Sequence, residues 1–316
     1  MTKYLGIRNN EATHEYSDEQ LLGAKLVRLR RPGQWVSAAV LLVLLAMLVH
    51  TLFTNQRFQW DVVWSYFTTA QVLAGLRLTL LLTIAVLVCG YLLGIVLAIM
   101  RLSGNPVLRT ISFGYIWLVR SIPPLVQLLF WYELASLYPQ LSLGVPFGPS
   151  FVTVKTAHLF TGLLAAFVAL TLDVAAFAAE IVRGGILSVE TGQSEAASAI
   201  GLSRWRIFRR IVLPQAMPAI IPASGNLLIG MLKATSIVSV IAVQDLLYSV
   251  QLIYNQNFLI IPLLLVAVIW YVILTTLLSI GQYYVERHYA RGTRRQAPRR
   301  LWTITRANLP ILAGVS

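Results

Sequence analysis

Charge is scarce in this chain. Only 12% of its 316 residues are Asp, Glu, Lys or Arg, about half the share of a soluble domain. With 57% hydrophobic residues and a mean hydropathy of +0.72, it reads as a polytopic membrane protein. Cysteine is almost absent. Cys89 stands alone in an apolar run, which excludes a disulfide framework and makes packing its expected role. The four histidines, His14, His50, His158 and His288, show no metal-ligand spacing, and His50 is expected at the membrane interface. No G-x-x-x-x-G-K-[ST] run occurs; Gly230 to Ser236 carries a Lys but one Gly. ATP is therefore expected on another polypeptide. No paired His and no Ser/Lys dyad marks an enzyme. Internal repeats are missing too, which counts against carriers built from repeated halves. A cleavable leader is not visible before Trp35, so the first apolar run is expected to act as a signal anchor.

What is present is length and apolarity. A hydrocarbon core takes about 20 helical residues to cross. Six runs qualify, near 35–53, 75–100, 111–135, 159–182, 217–241 and 258–284. Each is expected to be a helix, because a lone strand in lipid leaves its backbone unsatisfied. The expected fold is an all-α polytopic membrane protein with six transmembrane helices. Pro123-Pro124 should break or kink the third, and Pro214, Pro218 and Pro222 crowd the start of the fifth. The first, without a polar residue from Val40 to Val49, is expected on the outside of the bundle.

The net charge of +13 does not indicate nucleic acid, because the basic residues gather at segment ends. They crowd the N-terminal tail, the loops after the second and fourth runs, and the C-terminal tail. The opposite loops hold only Arg57 and Lys155. Lys and Arg favour the cytoplasmic side, so both termini and the loop after the fourth run are expected in the cytoplasm. The basic C-terminal tail sets topology or touches anionic lipid.

That loop carries EAASAIGLSRWRIFRRIVLP, Glu195 to Pro214. It reads as two short helices and a turn. Thr191 can N-cap the first, Gly201 suits a helix end that needs positive φ, and Ser203 can N-cap the second. Pro214 is expected to stop the second helix before the next span. Trp205, Phe208 and Val212 share one face, and Arg206, Arg209 and Arg210 another. Exposed aromatics on such a loop suit either a docking partner or an amphipathic helix lying on lipid.

The spacing then carries a resemblance. Glu195-Ala196-Ala197, three residues, Gly201, nine residues, Ile211, one residue, and Leu213-Pro214 resemble the EAA signature of bacterial ABC-importer permeases. The flanks are similar to the polar amino acid branch (histidine, glutamate, glutamine, arginine, opine). They are Ala179 to Ile186, Gly192-Gln193, Leu232 to Ile237, Arg120 to Pro123, and Val126 to Leu128. Departures are Ala234 for the usual Asp, Ser121-Ile122 for Gly-Thr, and Phe177 for Tyr. The resemblance implies a five-helix permease core over 70–285 with a coupling loop at 184–214. Outside it lie an N-terminal helix and outer loop (35–69) and cytoplasmic tails (1–34, 286–316). It also implies partners: two ABC ATPase subunits that hold ATP and Mg, a second permease copy or paralogue, and an extracytoplasmic solute-binding protein, which the outer loop 136–157 could touch. Glu195, Ala196, Ala197, Gly201, Ser203, Trp205, Arg206, Phe208, Leu213 and Pro214 would form the ATPase contact. The alternative class is an ion-coupled secondary carrier for small polar solutes.

Polar groups at membrane depth are the remaining candidates. A charge at the bilayer centre costs about 2.5–3.5 kcal/mol and should face the bundle interior or water. Asp173 and Glu180, seven apart, share a helix face, and Arg120 and Lys233 are the expected opposite charges. They either line a pathway for a zwitterionic solute or pair between helices. Glu180 and Arg183 suit a structural or gating role. Gln127 and Asn226 either line the pathway or, as favoured, hydrogen-bond between helices.

Overall fold

The computed structural model describes residues 32–145 and 149–289. Residues 1–31, with His14, and 290–316, which hold most of the two basic tails, and the Pro146–Gly148 part of the outer loop lie outside the described residues. The described residues up to Phe58 form a unit of their own, containing α1 (Pro32–Thr54) and a single 3-10 turn, Gln56–Phe58. The second unit starts at Gln59 and holds the described residues that follow.

Two long helices make its centre, α3 (Ala70–Leu102) and α6 (Gly162–Leu187), after a short α2 (Trp60–Phe67). In lipid no hydrophobic effect drives helix against helix, so association depends on close packing and interhelical hydrogen bonds. Both helices supply small residues for it. Gly90 and Gly94 of α3 face Val174, Ala175 and Ala178 of α6. A Cβ at Gly94 would lie 2.7 Å from the Ala178 Cβ and 2.9 Å from the Ala175 carbonyl oxygen. Along α6 the side chains of Ala165, Ala166, Ala169, Ala175, Ala176, Ala178 and Ala179 are buried. Leu82, Val86, Leu128, Leu170, Val174 and Val238 fill the core around this seam.

α4 (Pro106–Ser121) starts cleanly because Pro106 has no amide to satisfy and the Asn105 side chain accepts from the Val107 amide. It ties to both central helices. Ser112 donates to the Leu97 carbonyl at 2.8 Å, and the Tyr115 hydroxyl donates to the Leu172 carbonyl at 2.9 Å. At Pro123-Pro124 the chain turns through 99° into α5 (Pro124–Tyr132), as the proline pair leads one to expect.

Between α5 and α6 lies a feature absent from the sequence reading. Gln140–Gly144 and Ser150–Lys155 pair as an antiparallel hairpin within the expected outer loop. Another is α10 (Leu246–Asn257), a half-length helix between the last two spans. It packs with Leu76, Val72, Leu263 and Val266 in a second core cluster. The last helix is α11 (Ile260–Tyr289); its Trp270 stacks on Phe67 at 4.6 Å and donates to the Phe67 carbonyl.

Among the described residues, five helices are long and apolar enough to cross a membrane, and the bent α4–α5 pair makes a sixth if it acts as one span. The fifth span differs from expectation at its start. Pro214 does not end the preceding helix. An unbroken helical path runs from Arg204 to Ile241, through a π-turn at Phe208–Val212, into α9 (Leu213–Ala234) and a closing 3-10 stretch. The physical reason is the widened turn just ahead of it, where the Leu213 amide reaches back to the Phe208 carbonyl, shifting the hydrogen-bond ladder immediately before the residue that has no amide to donate.

Overpacking the central seam should be costly. Gly94→Val should destabilise the detergent-solubilised protein by about 1–3 kcal/mol, read as a lower thermal midpoint. Gly114→Ala, where nothing lies within 4 Å of a built Cβ, should leave the midpoint unchanged or slightly raised.

Candidate coupling loop and intramembrane charges

α7 (Thr191–Ala199) and α8 (Arg204–Ile207) form the expected pair of short helices. The turn between them is set by Gly201 at φ 81. The Leu202 amide donates to the Ala197 carbonyl at 3.2 Å and the Gly201 amide to the Ser198 carbonyl at 3.0 Å. This is the Schellman arrangement, which takes a residue free to adopt positive φ. At the other end, Thr191 is the first helical residue and not the cap. Glu190 occupies the cap position in extended geometry, without a side-chain bond, and its carbonyl takes the Gln193 amide at 3.1 Å. Ser203 does hold the second cap position, again without a side-chain bond.

The elbow leaves Glu195, Ala196, Ile200 and Ser203 exposed while Ala197 and Ile207 pack inward. Ile200 is 78% exposed. Trp205 stacks on Phe208 at 5.9 Å, as a shared face predicts. The separation from the arginines is less clean than expected. Trp205 borders them, and a cleft of about 350 Å³ is lined by Trp205, Arg206, Arg209 and Arg210. Leu213 is half-buried and Pro214 exposed at the start of α9.

Of the four expected intramembrane charges, Asp173, Glu180 and Arg120 gather at α6. Asp173 is 7% exposed and faces α4, where Arg120 is the cation whose field reaches it. The Arg120 guanidinium sits 4.9 Å from the centre of the Phe177 ring, one turn along α6 from Asp173. No ion pair joins Arg120 to Asp173; among the described residues the ion pair is Glu180–Arg183. There Arg183 Nη2 lies 2.6 Å from Glu180 Oε2, with Nε donating to both oxygens. It is a local i, i+3 clasp, so it orders one helix and not two. Lys233 lies apart, exposed in the last turn of α9 and in no ion pair among the described residues.

Two amides bridge elements as expected. Gln127 is buried, and its Nε2 donates to the Val119 and Ile122 carbonyls at 2.8 and 2.9 Å, clamping the α4–α5 bend. Asn226 accepts from Gln282 of α11 at 3.4 Å. Sequence reasoning passed over Asp245. It is fully buried, caps α10 by accepting from the Tyr248 amide at 2.8 Å, and adjoins Leu246, whose amide donates to Thr79 at 3.0 Å. The available signal was an Asp directly ahead of Leu246-Leu247-Tyr248.

The fold and the loop can now be set beside known proteins. The profile of the binding-protein-dependent transport system inner membrane component family matches residues 90–291. This chain belongs to that family. The permease is 40% identical over 288 residues to the arginine transport system permease protein ArgU of Corynebacterium glutamicum, covering 90% of this chain and 87% of that one. It is 34% identical to the probable amino-acid permease protein YxeN of Bacillus subtilis, over 74% of this chain and 97% of that one. A solved amino acid ABC transporter, crystallised with histidines, is 32% identical at a TM-score of 0.58, over 69% of this chain and 94% of that one. The permease is thus a multi-pass inner membrane component of an ABC transporter, and its Glu195-Ala196-Ala197 motif is typical of the family.

The Gln127 clamp generates a test in this permease. Gln127→Leu leaves the Val119 and Ile122 carbonyls without their donor, at a cost of about 1–3 kcal/mol. Thermal unfolding should show the loss, with Gln127→Glu intermediate or worse, because a carboxylate cannot donate.

Proposed function

We propose that this permease is the membrane-spanning subunit of an ATP-driven importer of polar amino acids. The observation that carries the substrate class is the 40% identity across most of the chain to a permease of an arginine system, alongside an amino acid ABC transporter among the solved relatives. ATP and Mg are held by separate ABC ATPase subunits, since this sequence contains no phosphate-binding Gly-Lys run. A second permease, identical or paralogous, completes the pathway, and an extracytoplasmic solute-binding protein delivers the amino acid. Both termini and the Glu195–Pro214 elbow face the cytoplasm, where Lys and Arg are concentrated.

In this reading the elbow seats on an ATPase. Exposed Ala196 permits close approach, Ile200 offers an apolar anchor, and Glu195 supplies a polar rim. Buried Ala197 and Ile207 hold the two short helices together, so the ATPase meets a packed element that moves as a body. Within the membrane, Asp173, Arg120 and Gln127 border the translocation pathway, with Glu180–Arg183 and Lys233 nearer its cytoplasmic and outer ends. Asp173 suits contact with a substrate ammonium or guanidinium because, among the described residues, no cation closes on it as an ion pair.

Two sets of variants test this in vesicles holding the assembled transporter. Glu195→Lys and Gly201→Asp should insert normally yet reduce ATP-driven amino acid uptake to background; the latter also strains a residue at φ 81 by about 1–2 kcal/mol. Uptake by either at the wild-type rate would sink the coupling role. Asp173→Asn should lower uptake about tenfold while ATPase association persists. Uptake driven by a proton or sodium gradient without ATP would instead favour an ion-coupled carrier.

A further inference from the structure

The elbow has two ends of different chemistry. Its tip, around Ala196, Ile200 and Gly201, is small and apolar. Its membrane end is the cleft of Trp205, Arg206, Arg209 and Arg210. The three arginines are exposed, and none forms an ion pair among the described residues. Three cations on adjacent helical turns repel one another, so an unoccupied cleft is an unfavourable arrangement that an anion relieves.

The height of the cleft relative to the bilayer follows from the chain itself. The helical path from Arg204 is continuous into α9, with no loop to let the cleft swing away. No charged residue occurs between Arg210 and Lys233. The 22 residues of α9 span about 33 Å at about 1.5 Å each, close to a hydrocarbon core of about 30 Å. Arg209 and Arg210 therefore stand immediately outside the hydrocarbon, at headgroup depth. Arg206 stands one turn further into the cytoplasm. Trp205, 65% exposed, sits beside them with an apolar body and a polar N–H, the side chain that favours a membrane interface.

We propose that the Trp205–Arg206–Arg209–Arg210 cleft binds the phosphate of an anionic phospholipid headgroup from the inner leaflet. Arginine forks suit phosphate oxygens, and several can share one phosphate. The cleft volume of about 350 Å³ accommodates a glycerophosphate headgroup. An acidic patch on the ATPase is the competing occupant. It is disfavoured by depth, because Arg209 and Arg210 adjoin the start of α9 while Ala196 and Gly201 precede the helical path that begins at Arg204. The inference rests on the cytoplasmic placement proposed above, and it divides the loop: the tip engages the ATPase and the arginine end is moored to lipid.

The test uses the full-length permease, purified together with the ATPase that accompanies it. Samples are exchanged into bilayer discs of phosphatidylcholine with a minor share of phosphatidylglycerol, and retained lipids are read by native mass spectrometry. Wild type should retain phosphatidylglycerol in preference to phosphatidylcholine. Arg206→Gln with Arg209→Gln and Arg210→Gln should weaken that retention by roughly fivefold for each arginine removed. The triple Arg→Lys variant should keep most of it, which separates loss of charge from misfolding. ATPase co-purification should persist in the triple Gln variant. Unchanged phosphatidylglycerol retention in that variant, or loss of the ATPase with lipid retention intact, would overturn the proposal. Glu195→Lys and Gly201→Asp should retain lipid normally, so failure of the coupling reading would show in those variants alone. Labelling of Ser203→Cys only by a thiol reagent added from outside would refute the cytoplasmic placement on which both rest.

Discussion

Two helices approach until their backbones nearly touch, and the rest of the membrane unit depends on that approach. At Gly90 and Gly94, α3 has no side chain to hold α6 away. Lipid chains are as apolar as leucine, so this seam must be held by dispersion between well-fitted surfaces. Once α3 and α6 are fixed, the remaining elements have a place to attach. α4 reaches across both through Ser112 and Tyr115. α10 hangs from Thr79 of α3. Pro123-Pro124 frees α5 from the direction of α4, and Gln127 holds the resulting angle.

The polar groups divide by what they join. Gln127, Asn226, Gln282 and Thr79 connect different elements, and each spends its hydrogen bonds on the protein. Glu180 and Arg183 satisfy each other within one helix. Asp173 and Arg120 belong to neither group. One is nearly buried and the other exposed, they lie within electrostatic reach, and no ion pair forms between them. A site that must release its cargo benefits from charges that are positioned but not neutralised by each other.

Long apolar runs were legible because lipid imposes one length on every crossing helix. The break at Pro123-Pro124 and the positive φ at Gly201 were legible for a local reason, since each follows from a single residue's covalent geometry. The hairpin was not. Its strands, Gln140–Gly144 and Ser150–Lys155, are short, and their alternation is too brief to stand out inside a stretch of loop composition. α10 was missed because its Gln251, Asn255 and Gln256 make it too polar to read as a span. Pro214 was misread because a proline two residues into a helix and one just beyond its end share the same neighbours in sequence. The blurred face around Trp205 has a related origin: the π-turn at Phe208–Val212 breaks the 3.6-residue phase on which face assignments rest.

That π-turn has a mechanical consequence. The helical path runs unbroken from Arg204 to Ile241, so α8 and the span act as one beam. A beam converts a push at one end into a tilt, and the distance moved grows with distance from the pivot. Where it flexes is set by Pro218 and Pro222, each of which removes one backbone hydrogen bond from α9. Gln282 donates to the Pro222 carbonyl at this soft point, and Gly225 lets it press close. A shove delivered in the cytoplasm would therefore arrive beyond the fulcrum as a swing of Met231 and Leu232, which are packed in the bundle interior.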